Sequence, residues 1–302
     1  MPLYSTLASL SQTAASNIAD GSVDAPSTID QQTNLLASFI AQLRDGNGFA
    51  TGLANVGQCR LAKSGSNLLL SPYGGNGLTI NGVVYKIPSA GVTLAPGAFT
   101  AGTTYYIYAY MNAGTMTLEA STTTHATDVT TGVEIKSGDA TRTLVGMARP
   151  IAGPAWADTV TQRFVISWFN QKPVYLQSPL AAGTGNVSTG AYSVLSSTLL
   201  LEFLSWSAVA QSRFQGRLVN NVANAVSSTA TFLDATNTES FSSSGAYVAG
   251  AVQPVACSQD ILVSEGYHNF QVYAQQDVSS TATYTGGATP GLRCVHTAVI
   301  QG

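Results

Sequence analysis

From Val174 to its C-terminus the chain is a run of short apolar segments parted by turn residues. Strand-like stretches fall at Val174–Gln177, Leu199–Ala210, Arg213–Val219, Ala230–Leu233, Ala246–Val252, Ile261–Val263, His268–Ala274, Ala282–Thr285 and Leu292–Ile300. That number and spacing is what two packed antiparallel sheets require, and it predicts a jelly-roll-like sandwich over residues 173–302. Lys172-Pro173 marks its start. Leu199-Leu-Leu-Glu-Phe-Leu-Ser-Trp-Ser is apolar on both faces, as a central strand is. Glu202 within it then needs a polar partner or an exposed position.

Upstream, residues 51–172 read as a second antiparallel domain. Asn81-Gly82 between Leu78–Ile80 and Val83–Ile87 is a strong hairpin signal. Met111-Asn-Ala-Gly114 joins Thr103–Tyr110 to Thr115–Ala120 in another hairpin, with Tyr106, Tyr108 and Tyr110 on one face by period-two alternation. Further strands are expected at Gly132–Lys136, Arg142–Arg149 and Arg163–Phe169.

Residues 1–50 differ from both β-domains. One helix is expected, over 28–45. Ser27 or Thr28 serves as N-cap with capping-box spacing to Asp30 or Gln31, Arg44 suits the C-terminal dipole, and Gly46 caps the end. Ile29, Leu36 and Leu43 recur every seven residues, with Phe39 between the last two, as an a/d seam does. Such a helix is about 27 Å long and marginal alone in water. Its seam must pack on the chain's own β-body or on copies of itself. Before it, residues 1–26 offer Tyr4, Leu7 and Leu10 as anchors and little periodicity, and we read them as a peptide that lies on a partner protein.

Charged residues make up 9 % of the chain, against about 25 % in ordinary soluble proteins. Ser, Thr, Gly, Ala and Asn fill the gap, which suits extracellular or virion-exposed β-surfaces and surfaces buried between subunits. The net charge is -3 and the closest basic residues are the pair Arg213 and Arg217, so nucleic-acid binding has no electrostatic footprint. No apolar run approaches the roughly 20 residues that span a membrane. The start of the chain, without a basic residue before Arg44 or an apolar core, does not read as a signal peptide.

Motifs for catalysis do not emerge. GxSxG, HExxH, a P-loop and an EF-hand loop are all missing. His125 and Asp128 have metal-ligand residue types, but two ligands in a Thr-rich loop point to a solvated loop. His268 and His296 read as surface or satisfied core histidines, and Trp156, Trp168 and Trp206 as core or interface rather than sugar platforms. Cys59, Cys257 and Cys294 lack metal-ligand spacing and read as small buried residues, with a Cys257–Cys294 bridge as the alternative. Fifteen acidic residues include no pair that spacing singles out for glycoside hydrolysis. We therefore expect no enzyme, no cofactor and no metal.

Three segments carry a family resemblance. Tyr4-Ser-Thr-Leu-Ala-Ser-Leu-Ser-Gln-Thr-Ala-Ala-Ser-Asn17 with Ala37–Gly46 resembles the start of tail-fibre-like proteins of tailed bacteriophages. Tyr105–Tyr110 through Gly132–Arg149 and Phe164–Asn170 is similar to a module of phage virion proteins. Leu201–Trp206 and Ser264–His268 resemble their small C-terminal sandwich domains. The resemblance implies a homotrimer in the virion, assembled in the host bacterial cytoplasm. Its N-terminus would dock on a connector, tail or capsid protein, and its C-terminal domain would face a host-surface glycan or protein. The chain lacks the repeats or coiled-coil shaft of a long fibre. A head fibre, or a neck or capsid decoration protein without a receptor, is thus the alternative, with a surface-polysaccharide depolymerase behind it. If Leu36, Phe39 and Leu43 organise the trimer, Leu36→Asp with Phe39→Asp will reduce it to monomer or prevent folding, as read by light scattering. An unchanged trimer excludes the helix as organiser.

Overall fold

The computed structural model describes Leu36 and residues 57–302, apart from 98, 154, 182–183, 238–239, 246–247, 277–279 and 288–292. Leu36 is α-helical and 52 % exposed. The rest of the expected helix, with Ile29, Phe39 and Leu43, and the anchors Tyr4, Leu7 and Leu10, lie outside the described residues.

The described chain is almost wholly β. Its first strands are β1 (Cys59–Ser64), β2 (Asn67–Pro72), β3 (Gly77–Ile80), β4 (Val83–Lys86), β5 (Val92–Leu94), β6 (Tyr105–Asn112) and β7 (Thr115–Ser121). They are followed by β8 (His125–Thr127), β9 (Glu134–Lys136), β10 (Asp139–Ala148), β11 (Pro150–Ile151), β12 (Ala155–Trp156), β13 (Gln162–Arg163) and β14 (Val165–Ser167). Two compact units result. One is drawn chiefly from Leu69–Leu94 and Tyr106–Val145, the other from Gly146–Gly302 with Leu61–Leu68 and Ala95–Tyr105.

In the first unit the expected hairpins form. β3 pairs with β4 in the register Ile80↔Val83. Asn81 and Gly82 between them have φ of 50° and 74°, the left-handed pair that a type I′ turn needs. β6 and β7 pair out to Asn112↔Thr115, so the strand runs on through Met111 and Asn112, and Ala113-Gly114 alone makes the turn. Tyr108 is fully buried and donates its hydroxyl to Thr123 O at 2.8 Å.

The second unit contains β15 (Pro173–Pro179), β16 (Thr184–Val187), β17 (Ser193–Val194), β18 (Leu201–Trp206), β19 (Val209–Asn220) and β20 (Val226–Leu233). It ends with β21 (Phe241–Gly245), β22 (Val252–Leu262), β23 (Glu265–Gln276), β24 (Ala282–Thr285) and β25 (Val295–Gln301). One sheet runs β15-β25-β19-β22, because β22 pairs with β19 along Val209–Val219 and leaves only the other side for β24 and β25. The other runs β18-β23-β20-β21. We take β15 and β16 as two parts of the first strand, and β24 and β25 as two parts of the eighth. The orders are then 1-8-3-6 and 2-7-4-5, the arrangement of a jelly roll.

The inner faces meet over two apolar clusters. One centres on Leu201, Phe203, Phe270 and Ile300, the other on Leu199, Phe214, Leu218, Val272 and Tyr284. The expected single strand over Leu199–Ala210 is two strands in different sheets. Leu199 closes a 3-10 turn, and Ser207, at φ 57°, reverses the chain while Ser205 Oγ accepts from Ala208 N at 3.3 Å. Ala246–Val252, expected as a strand, mostly precedes β22, and residues 246–247 lie outside the described set.

Gly216 lies where the eighth strand is split. A Cβ there would lie 2.3 Å from Cys294 Sγ and 2.7 Å from Cys294 Cα. The chain re-entering the sheet before β25 passes directly over this glycine. Gly216→Ala should therefore destabilise the protein by about 1–3 kcal/mol, the usual range for overpacking. Urea unfolding measures this, and an unchanged midpoint would contradict the close approach.

Candidate functional site

The residue types that could carry chemistry are placed in three groups, each held by specific partners. In the first unit His125 Nδ1 lies 2.5 Å from Glu134 Oε2, and Thr127 Oγ1 donates to the same carboxylate. Asp128 instead caps its own turn. It accepts from Thr131 Oγ1 at 2.5 Å, Thr131 N at 3.2 Å and Thr130 N at 3.3 Å. These bonds, the Thr131 hydroxyl first, hold its carboxyl below the usual range. His125 and Asp128 thus serve different partners, and among the described residues no group of three His, Cys, Asp or Glu side chains is placed to hold a metal.

The second group surrounds β18 and β23. Glu202 finds the partners its position demands: Tyr267 donates its hydroxyl at 2.7 Å and Gln162 its Nε2 at 2.7 Å. Burial, and then the adjoining Glu202, push the Tyr267 phenol up. The Arg149 guanidinium covers the Tyr267 ring at 3.8 Å. Trp206 donates Nε1 to Ser167 O at 3.0 Å and meets Trp168 edge-on at 4.9 Å between centroids. Trp156 is 2 % exposed beside Phe99. All three tryptophans are thus engaged in packing.

The third group has the composition of a catalytic triad. His268 Nδ1 lies 2.7 Å from Asp234 Oδ2, and its Nε2 lies 3.3 Å from Ser264 Oγ. A nucleophilic serine requires a free lone pair on Nε2 to take its proton. Here Nε2 lies closer, at 3.0 Å, to the Ser264 carbonyl, which can only accept. Asp234 Oδ1 also accepts from Asn269 N at 2.9 Å and Asn269 Nδ2 at 3.3 Å. The arrangement ties the turn after β20 and the turn after β22 to β23, and we read it as a structural clamp. The sequence gives no sign of it, because Asp234 arrives from a left-handed turn, φ 49°.

His296 is fully buried between the sheets. Its Nδ1 lies 2.7 Å from Leu199 O, so that nitrogen carries the proton, and Nε2 at 2.9 Å accepts from the Ser212 hydroxyl. Burial lowers its pKa to about 4. The three cysteines are buried thiols outside any disulfide. Burial pushes Cys59 and Cys257 up to about 12 and raises Cys294 as well, which favours the less reactive thiol over the thiolate.

One face of the sandwich exposes apolar side chains. Tyr175, Val209, Val252 and Leu262 are 69, 54, 56 and 70 % exposed, and all four point outward from the 1-8-3-6 sheet. The outer side of the other sheet is covered at its centre, while Phe241 on the edge strand β21 is 62 % exposed. Tyr192 packs edge-on against Phe232 at 5.3 Å, Phe232 stacks on Tyr273 at 4.1 Å, and Gln271 donates to Ser196 O at 2.9 Å.

No known protein family matches the chain in sequence, nor does any curated protein. Among solved structures it is similar to a chain of the Gx strain of infectious bursal disease virus, at 15 % identity over 68 % of this chain and 57 % of that one, with a TM-score of 0.27. It is also similar to a chain of the T=1 particles derived from that virus, at 15 % identity over 87 % of this chain and 79 % of the other, with a TM-score of 0.26. A subviral particle of its VP2 protein follows at 13 % identity and a TM-score of 0.23, over 68 % of this chain and 59 % of the other. The chain spans 57 % of the first of these viral chains. At such TM-scores neither fold nor function can be carried across.

The neutral state of His296 makes stability pH-dependent. The unfolded chain binds its proton near pH 6.5 and the folded chain only near 4. Stability is therefore full above 6.5 and falls as pH drops between the two values, by about 2–3 kcal/mol at pH 4.5. Urea midpoints from pH 7 to 4.5 should fall in the natural protein and less in His296→Gln. Parallel slopes would contradict this.

Proposed function

We propose that this chain is the subunit of a short bacteriophage fibre, a virion structural protein that acts by adhesion and not by catalysis. The observation that carries the reading is the C-terminal jelly roll with hydroxyl-rich, sparsely charged loops. Such a domain offers shape and hydrogen-bonding groups to a host-surface glycan or protein. The histidines within it are committed to structural bonds, which supports a binding role over a hydrolytic one.

In this reading residues 1–26 dock on a connector, tail or capsid protein through Tyr4, Leu7 and Leu10, and three copies join through Ile29, Leu36, Phe39 and Leu43. Leu36, helical and half-exposed in the single chain, suits a seam that a second copy covers. Three weak sites on one trimer gain roughly 10²–10⁴ in avidity over one site when geometry lets them engage together. No catalytic residue is then needed to hold a particle on a cell.

Gold-labelled antibodies raised against the purified chain should mark the neck or tail of particles released by cells that carry its gene, and fluorescent protein should stain the host. Label on the particle without staining of any host strain would favour a decoration protein. Unlabelled particles would overturn the virion reading. Release of reducing ends from host polysaccharide would replace adhesion by depolymerisation.

A further inference from the structure

We propose that the outer face of the 1-8-3-6 sheet is where copies of this chain pack against one another. The proposal rests on the reading of the chain as a self-associating subunit, and it adds the β-surface on which association occurs.

The sheet registers lay the face out in rows. One row reads Tyr175, Val299, Gln211 and Asp260; the next reads Gln177, Thr297, Arg213 and Ser258. Val209 and Leu262 pair directly at one end, and Val219 and Val252 at the other. Apolar side chains thus bracket an amide- and hydroxyl-rich centre. A monomer gains nothing from leaving Val209, Leu262 and Tyr175 in water toward one end of this face, since burying each is worth about 1.5–3 kcal/mol.

Three features select a copy of the chain as the occupant. First, the face is a continuous sheet. Four strands about 4.8 Å apart and about seven residues long give a footprint of roughly 400 Å², and the standing side chains enlarge its accessible area toward the roughly 800 Å² that one partner gives to a stable interface. Second, its outward positions set Tyr175, Arg213, Arg217 and aliphatic residues among amide and hydroxyl side chains, with no lysine or glutamate on β15, β19, β22 and β25. Third, both signs of charge are present. Arg213 and Asp260 stand on adjacent strands of the face, and neither has an ion-pair partner among the described residues. A face that carries both signs can complement itself, whereas a partner of one sign would bury an unpaired charge. On the opposite sheet a segment of the same chain covers the outer side at Phe232 and Gln271, and the edge strand β21 leaves Phe241 exposed.

The test uses the full-length protein. Tyr175→Asp with Leu262→Asp should reduce the assembly to the 31.2 kDa of one chain by light scattering. Phe241→Asp, at a residue 62 % exposed on the other sheet, should leave the mass unchanged. A second measurement reads the accessibility of Tyr175 itself. Nitration mapped by mass spectrometry should find Tyr175 several-fold less reactive in the native assembly than in the double variant Val209→Asp/Leu262→Asp. An assembly that survives Tyr175→Asp/Leu262→Asp, or a Tyr175 equally reactive in both, overturns the proposal. So does a monomer in which Tyr175 is protected, since the chain would then cover the face itself. Unlabelled virus particles alongside a trimer broken by these variants would sink the virion reading and leave this interface standing.

Discussion

The second unit depends on how one strand is paired. β19 bonds to β22 along its whole length on one side and, on the other, first to β25 and then to β24. Every other strand of that sheet is placed through it. Because β24 and β25 share one side, the chain must rejoin the sheet before β25. It returns at Cys294, whose thiol sits over Gly216 and donates to Arg217 O at 3.4 Å. A side chain at 216 would deny it that path, which is why a residue that usually weakens strands stands at the centre of this one.

The same unit departs from an ordinary polarity in places. Inside, Ser212, Asn220, Ser227, Thr229 and His296 are fully buried. They are bonded to one another or to the backbone: Thr229 to Tyr284 at 2.6 Å, Ser227 to Asn220 at 2.7 Å, Asn220 to Ala225 O at 2.8 Å. Outside, on the 1-8-3-6 sheet, Tyr175 and Leu262 meet water in the single chain. Buried hydroxyls that are fully satisfied fix one register and reject others, at a smaller gain in stability than aliphatic packing gives. Apolar residues left outside make sense when the folded chain is one part of a larger assembly.

This polarity also set the limit of what the sequence could reveal. The existence of the strands was legible, since turn residues such as Asn81-Gly82 and Lys172-Pro173 punctuate them. The jelly-roll order was legible only as a class. Which face of each strand points inward was not, because Ser227 and Thr229 go in while Val226 stays out, against the expectation that the apolar residue faces the core. The break at Ser207 was hidden in an unbroken apolar run. The Asp234–His268 pair joins residues 34 apart through a left-handed turn, and spacing alone cannot announce such a contact. Glu202 was the exception: an acid in an apolar strand had to find donors, and Tyr267 and Gln162 supply them.

The central claim is that copies of this chain complete one another's surfaces. The solution mass of the unmodified full-length protein, by light scattering after size exclusion, tests it most directly. A stable species at three times 31.2 kDa is the predicted result. A monomer that persists at high protein concentration would contradict it, and would mean that the apolar sheet face and the Leu36 seam are covered by something other than this chain's own copies.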